Sequence, residues 1–281
     1  MSDRRGGIGS SDAPAICGVS PYTTPWQCWA RHVGLLPEPE MTEEMTWGLR
    51  LEDTILRVAA EELGLSGRVD QVGSTWATER PWQRATPDGE VFLADGCWLL
   101  EAKALRGGPP DEPRLDWLVQ VQHQLMVFPH TAGAVIAAMG ALEFRLWRVP
   151  PHPVAQRAIL EAELRFLALI ESETPPPVRA EDNRLLAQAY PLANTLKTIR
   201  LGAEALEWDR ARQTAADHVR RWQEVRDLAE ARIKTVMGSA RTAVLPDGTS
   251  YRWSPQKRKG YTVPDGPLRV LRRKGAKGNG E

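Results

Sequence analysis

The sequence predicts an α/β fold. Segments of period two alternate with segments of period 3.6 across the first 150 residues, which is the pattern of strands interleaved with helices. A β-hairpin with well-defined faces lies in the middle of that stretch, and beyond a Pro-rich break the chain turns to amphipathic helices. The expected organisation is a core over residues 1–150, a helical extension over 151–240, and a β-hairpin with a basic tail over 241–281.

The elements follow in order. Ser11 or Asp12 caps a short helix that runs through Cys17 and ends at Gly18, and a second helix runs from about Thr24 to Val33. Arg4, Arg5, Ser10 and Ser11 surround the Gly-rich entry to the first helix, where free N–H groups favour an anion; a flexible tail with an ordinary cap is the simpler reading of the same residues. Met41 to Leu65 is a clear helix, and Glu52 borders its apolar stripe. There it either pairs with Arg50 or Arg57 or points toward the hairpin. Gly67 to Ala77 and Gln83 to Thr86 are strand-rich connections.

The central stretch is TPDGEVFLADGCWLLEAK, from Thr86 to Lys103. Asp88 sits in a Pro-Asp-Gly turn, and Asp95-Gly96 is a two-residue hairpin signal. Period two along Cys97 to Ala104 puts Cys97, Leu99, Glu101 and Lys103 on one face and Trp98, Leu100, Ala102 and Ala104 on the other. A carboxylate and an amine thus end an apolar strand side by side. Burying them requires a partner or a metal. Asp88, Glu101 and the carbonyl of Ala102 are oxygen donors, which suit Mg²⁺ or Mn²⁺ rather than zinc. Lys103 would then orient or deprotonate a metal-bound water, or offset negative charge developing on a phosphate. A solvated Glu-x-Lys couple is the ordinary alternative for such a pair.

A Gly- and Pro-rich loop follows, and then a helix from Trp117 to Phe128 whose apolar side is interrupted by Gln120 and Gln124. Each is either an amide satisfied by backbone or a residue that holds water or phosphate. Strands from Thr131 to Met139 and Leu142 to Val149 close the unit, and VPPHP, from Val149 to Pro153, bounds it. Helices are expected over Val154 to Glu173, Asp182 to Leu201 and Ala203 to Met237, the last with an apolar stripe that could pair with another helix or another subunit. A hairpin around Pro246-Asp247-Gly248 leads to Lys257, Arg258 and Lys259. With Tyr251, Trp253 and Tyr261 these could contact phosphates and stack on bases.

Composition narrows the class. Lys plus Arg and Asp plus Glu both number 36, so the formal net charge is zero, and a nucleic-acid role needs local basic patches rather than global attraction. The three cysteines, Cys17, Cys28 and Cys97, form no Cys-x-x-Cys pair, and the five histidines lie apart without ligand spacing. Neither a disulfide framework nor a zinc or iron-sulfur site is expected. No apolar run is long enough to span a bilayer, and the first residues lack a signal-peptide core. A soluble, cytoplasmic protein without a membrane partner is the expectation.

The ordered blocks GIGSSDAPAICGVSPYTTPWQCW, MTWGLRLEDTI, ATPDG, LLEAK and WLVQVQHQLMV resemble the YqaJ-like viral recombinase family, the group that contains lambda-type exonuclease, within the PD-(D/E)xK nuclease superfamily. The resemblance spans roughly Arg4 to Val149. It implies a restriction-endonuclease-like core with a mixed central β-sheet flanked by helices. It also implies that Glu52 is the first acidic residue, a ligand of the metal or of a metal-bound water, that Asp88 and Glu101 are metal ligands, that Lys103 is the catalytic lysine and that Gln120 is the active-site glutamine. Ser11, with Arg4 or Arg5, falls where exonucleases of this group hold a 5′-phosphate. The implied activity is Mg²⁺-dependent hydrolysis of duplex DNA from its 5′ ends, beside a single-strand annealing protein, in a bacterial or phage-infected cytoplasm. An endonuclease on the same core, or a non-catalytic DNA-end binding protein, are the alternatives. Ala102 replaces the bulkier apolar residue usual between the Glu and the Lys. The C-terminal third lies outside the match and leaves a ring-shaped homo-oligomer open.

Overall fold

The computed structural model describes residues 7–65, 69–70, 73, 75–77, 79–193 and 198–255. They fall into two compact units, Met1–Pro191 and Leu192–Glu281. In chain order the first unit holds β1 (Ile8–Gly9), α1 (Ala13–Ile16), α2 (Pro25–His32), α3 (Glu43–Glu62), β2 (Thr75–Trp76), β3 (Gln83–Ala85), β4 (Gly89–Leu93) and β5 (Gly96–Leu105). These are followed by α4 (Leu115–Val127), β6 (Gly133–Gly140), β7 (Glu143–Val149), α5 (Pro153–Glu171) and α6 (Asn183–Ala189).

The main sheet has the spatial order β4-β5-β6-β7. The outer pairs are antiparallel and the central β5–β6 pair is parallel, so the sheet is mixed, as expected. Parallel neighbours need a crossover, and α4 supplies it. A second, three-stranded sheet has the order β1-β3-β2. Its parallel β1–β3 pair, with Ile8 opposite Gln83, ties the N-terminal segment to the strand before the central turn.

The alternation read from β5 fixes what covers each face. Leu99 packs with Trp117, Val121 and Leu125 of α4. On the other face Trp98 and Leu100 pack with Leu56 of α3 and Val91, while Ala102 and Ala104 lie against Ile55 and Ala59 of α3. Leu99 and Leu100 have no exposed surface, so truncating either to Ala would cost about 2–5 kcal/mol. Helices therefore flank the sheet on both sides. One detail of the hairpin differs from expectation: Leu93 pairs with Gly96, so the two loop residues are Ala94 and Asp95. Gly96 opens the strand at φ 131°, a conformation that disfavours a side chain.

The expected boundary at residue 150 falls inside the first unit. Phe166 of α5 joins Trp26 and Trp29 of α2 in one apolar cluster, and Glu163 is wholly buried, so α5 completes this core. The helix expected over Asp182 to Leu201 is short, because α6 stops at Ala189. Pro191 lacks an N–H and restricts the residue before it, and Tyr190 accordingly leaves helical geometry at φ −125°, ψ 64°.

The second unit holds α7 (Glu204–Met237) and a hairpin of β8 (Thr242–Val244) and β9 (Ser250–Arg252), around the Pro-Asp-Gly turn as read from sequence. Trp208, Val219 and Trp222 of α7 are exposed. Lys257, Arg258, Lys259 and the rest of the basic tail lie outside the described residues, as do Arg4 and Arg5. Among the described residues, no helix is long and apolar enough to cross a membrane.

Candidate active site

The site forms just before β4 begins, alongside the middle of β5. Gly89 is paired with Leu100 in an antiparallel register, so Asp88 stands one step beyond the last pair, opposite Glu101. The Asp88 backbone N–H donates to the Leu100 carbonyl at 3.1 Å. Its side chain then takes over the role of the missing strand: Oδ2 accepts from the Ala102 N–H at 2.8 Å. In a strand the N–H and C=O of one residue point to the same edge, so the Ala102 carbonyl faces that edge as well.

Glu101 is buried at 4% exposure. Its Oε1 accepts from Lys103 Nζ at 2.6 Å and from Gln120 Nε2 at 2.7 Å, and its Oε2 accepts from Gln124 Nε2 at 2.6 Å. Lys103 Nζ also donates to Gln120 Oε1 at 2.9 Å, which closes a three-residue ring of hydrogen bonds. A carboxylate has about four lone-pair positions; three donors leave one for a cation. Glu52 lies on α3 three residues before Ile55, which packs on the sheet, and is near enough to Asp88 and Glu101 for their charges to interact.

Electrostatics mark the group as short of positive charge. Burial first, then the Glu101 carboxylate and more weakly Glu52, push the Asp88 carboxyl up to about 8, against the lowering effect of the Ala102 N–H and Lys103. Burial, then Asp53 and Glu101, push Glu52 upward too. One lysine does not balance three acidic groups. Hard oxygen donors, a carbonyl at the same edge and the raised carboxyls of Asp88 and Glu52 together fit a divalent cation of the Mg²⁺ type.

Gln124 belongs to this site, although its side chain was open to a purely structural reading in the sequence. Its Nε2 must face Glu101, because a flipped amide would set oxygen against carboxylate. The buried Oε1 is thereby left with no hydrogen-bond partner. Such an acceptor costs about 1–3 kcal/mol unless something donates to it.

The structure thus brings together Glu52, Asp88, Glu101, Lys103 and Gln120. Ser11 is exposed in the turn before α1, and among the described residues no hydrogen bond joins it to the carboxylates. That helix has only four residues, and Asp12, at its N-cap position, makes no side-chain cap. Asp12 Oδ2 instead accepts from the Gly9 N–H at 3.3 Å.

Residues 1–134 match the YqaJ-like viral recombinase domain. An uncharacterized protein, YqaJ, of Bacillus subtilis (strain 168) is 26% identical over 175 residues, or 59% of this chain and 54% of that one. The chain therefore spans about half the length of that relative. Solved structures of similar shape include an alkaline exonuclease (LHK-Exo) from Laribacter hongkongensis, with 18% identity and TM-score 0.49 over 68% of this chain and 96% of that chain. A phage related exonuclease from Haemophilus somnus 129PT shows 11% identity and TM-score 0.44 over 59% of this chain and 96% of its own.

Proposed function

From a chain whose residues 1–134 carry a YqaJ-like viral recombinase domain, we propose a metal-dependent DNA nuclease. In this reading it is a 5′-to-3′ exonuclease that resects double-stranded ends beside a single-strand annealing protein in phage-type recombination. The observation that carries the reading is the joining of Lys103, Glu101 and Gln120 in one hydrogen-bonded ring at the strand edge where Asp88 sits.

Asp88, Glu101 and the Ala102 carbonyl would hold Mg²⁺ or Mn²⁺, with Glu52 acting through a water. The bound cation supplies Lewis-acid polarisation of the phosphate and a more acidic water. The chain's own residues do the rest. Gln120 and Gln124 fix both oxygens of Glu101, so the carboxylate meets a cation without reorganising. Lys103 sets a positive charge beside the scissile phosphate, where negative charge grows in the transition state, so it lowers the barrier more than it aids binding. The orphaned Gln124 Oε1 can accept a hydrogen bond from a water. Ser11, with Arg4 or Arg5, takes the 5′-phosphate of the resected strand. The setting is the cytoplasm of a bacterial or phage-infected cell.

The test uses linear duplexes with 5′-phosphate or 5′-hydroxyl ends and closed circular duplex, each with and without Mg²⁺. The reading predicts Mg²⁺-dependent loss of the 5′ strand from linear DNA and intact circles. Nicked circles would make the protein an endonuclease. Asp88→Ala should bind DNA ends without digesting them, and digestion at the wild-type rate would remove this site from the chemistry.

A further inference from the structure

A second set of ligand-type side chains converges in the first unit. Asp12, just before α1, and Cys28 and His32, both on α2, are all buried, and one donor atom from each lies within 4.8 Å of the others. Cys28 and His32 are four residues apart on one helix, so their side chains share a face one turn apart. The third donor arrives from a different element, which is how metal sites are usually closed.

His32 gives the cluster its direction. Its Nε2 is buried and has no hydrogen-bond partner, and it stands 3.4 Å from Asp12 Oδ2. Phe166 holds the ring edge-on, with centroids 5.7 Å apart. An N···O separation of that size is longer than an ordinary hydrogen bond. It equals the edge of a tetrahedron built on metal–nitrogen and metal–oxygen bonds of about 2.0–2.1 Å, which is about 3.4 Å.

We propose that Asp12 Oδ2, Cys28 Sγ and His32 Nε2 form a zinc site separate from the carboxylate cluster on β5. Thiolate and imidazole select zinc over the hard ions that suit Asp88 and Glu101. Binding takes the proton from the Cys28 thiol and releases it to solvent, and His32 carries its remaining proton on Nδ1. One carboxylate, one thiolate and a neutral imidazole then balance the two charges of Zn²⁺, so the buried site is electrically neutral. A solvent molecule takes the fourth tetrahedral position. Because Asp12 Oδ2 also accepts from the Gly9 N–H, the ion pins the Gly9–Asp12 turn, with Ser11 inside it, to α2.

Cobalt reports directly on the donors. The full chain, stripped with chelator and confirmed folded by circular dichroism, is titrated with Co²⁺ in excess Mg²⁺ to occupy the carboxylate cluster. The expected result is one equivalent of tetrahedral Co²⁺ with a near-ultraviolet thiolate-to-cobalt band, displaced by Zn²⁺. The band disappears in Cys28→Ser, affinity falls at least about tenfold in His32→Ala, and Asp88→Asn keeps the full signal. A folded wild-type chain without the band overturns the site whatever the variants do. So does a band that survives Cys28→Ser, which would assign it to Cys17 or Cys97, or one lost in Asp88→Asn.

Discussion

Helix α4 carries two kinds of buried or half-buried polar side chain, and they differ in how completely they are satisfied. On one side, His123 Nε2 faces the Arg84 carbonyl at 2.9 Å and Nδ1 faces Glu163 at 2.6 Å, while Gln83 donates to the other Glu163 oxygen at 2.9 Å. A carbonyl can only accept, so Nε2 bears a proton and His123 shares one more with Glu163 through Nδ1. Gln122 is equally complete, donating to the Pro150 carbonyl at 2.8 Å and accepting from the His152 N–H at 2.9 Å. On the other side, Gln120 and Gln124 converge on Glu101, Gln124 Oε1 has no partner, and Asp88 is pushed up to about 8. Closed networks hold elements together. The open one is arranged for something not supplied by the chain.

Substitutions on the two sides should therefore separate activity from stability. The largest effect is expected at the open side: Asp88→Asn or Glu101→Gln should lower Mg²⁺-dependent DNA digestion by at least about 10³-fold. Without metal at pH 7, Asp88→Asn should also leave the melting temperature nearly unchanged, because a neutral amide replaces a carboxyl that burial and Glu101 keep protonated there; a large fall in melting temperature would put this residue among the structural ones. Next comes Glu163→Ala, which strands His123 and Gln83 in the core. It should destabilise the fold by about 3–5 kcal/mol in urea unfolding, with the rate per folded molecule intact. A smaller effect belongs to Gln124→Ala, which frees one oxygen of Glu101 and should weaken Mg²⁺ binding by about 10–100-fold, read as a higher Mg²⁺ requirement at little cost in stability. Smallest is Gln122→Ala, about 1–3 kcal/mol of stability and no change in metal requirement. If Gln122→Ala and Gln124→Ala behaved alike, the distinction between the two sides would be lost.

Much of the site could be read from the chain because it is local. Asp88 and Glu101 belong to one hairpin, whose register follows from alternation and turn chemistry, and Lys103 follows at the next same-face position. Gln120 comes from the helix that must cross over between parallel strands. What could not be read depends on distant partners. Nothing near His123 in sequence announces Glu163 of α5, and the Pro-rich VPPHP segment reads as a boundary although α5 beyond it completes the core. Gln122 and Gln124 look alike on a helical stripe, and only their neighbours make one structural and the other part of the site. The shortening of α6 at Pro191 did carry a local signal, since a proline follows the last turn. Cys28 and His32 stand at helical spacing, yet their third companion, Asp12, is supplied by the fold.

The central claim is that Asp88 and Glu101 share a divalent cation. Asp88 lies above its ordinary value of 3.8 in the folded chain, so without metal its contribution to stability is full below about pH 4 and is lost as pH rises toward 8. At pH 7 a cation must displace that proton. Mg²⁺ titration calorimetry at pH 7, in two buffers of different ionisation enthalpy, should show about one proton released per ion bound. Affinity should rise with pH until about 8 and level off above it, and Asp88→Asn should abolish the release. Binding without proton release, or Mg²⁺ affinity unaltered in Asp88→Asn, would contradict the account.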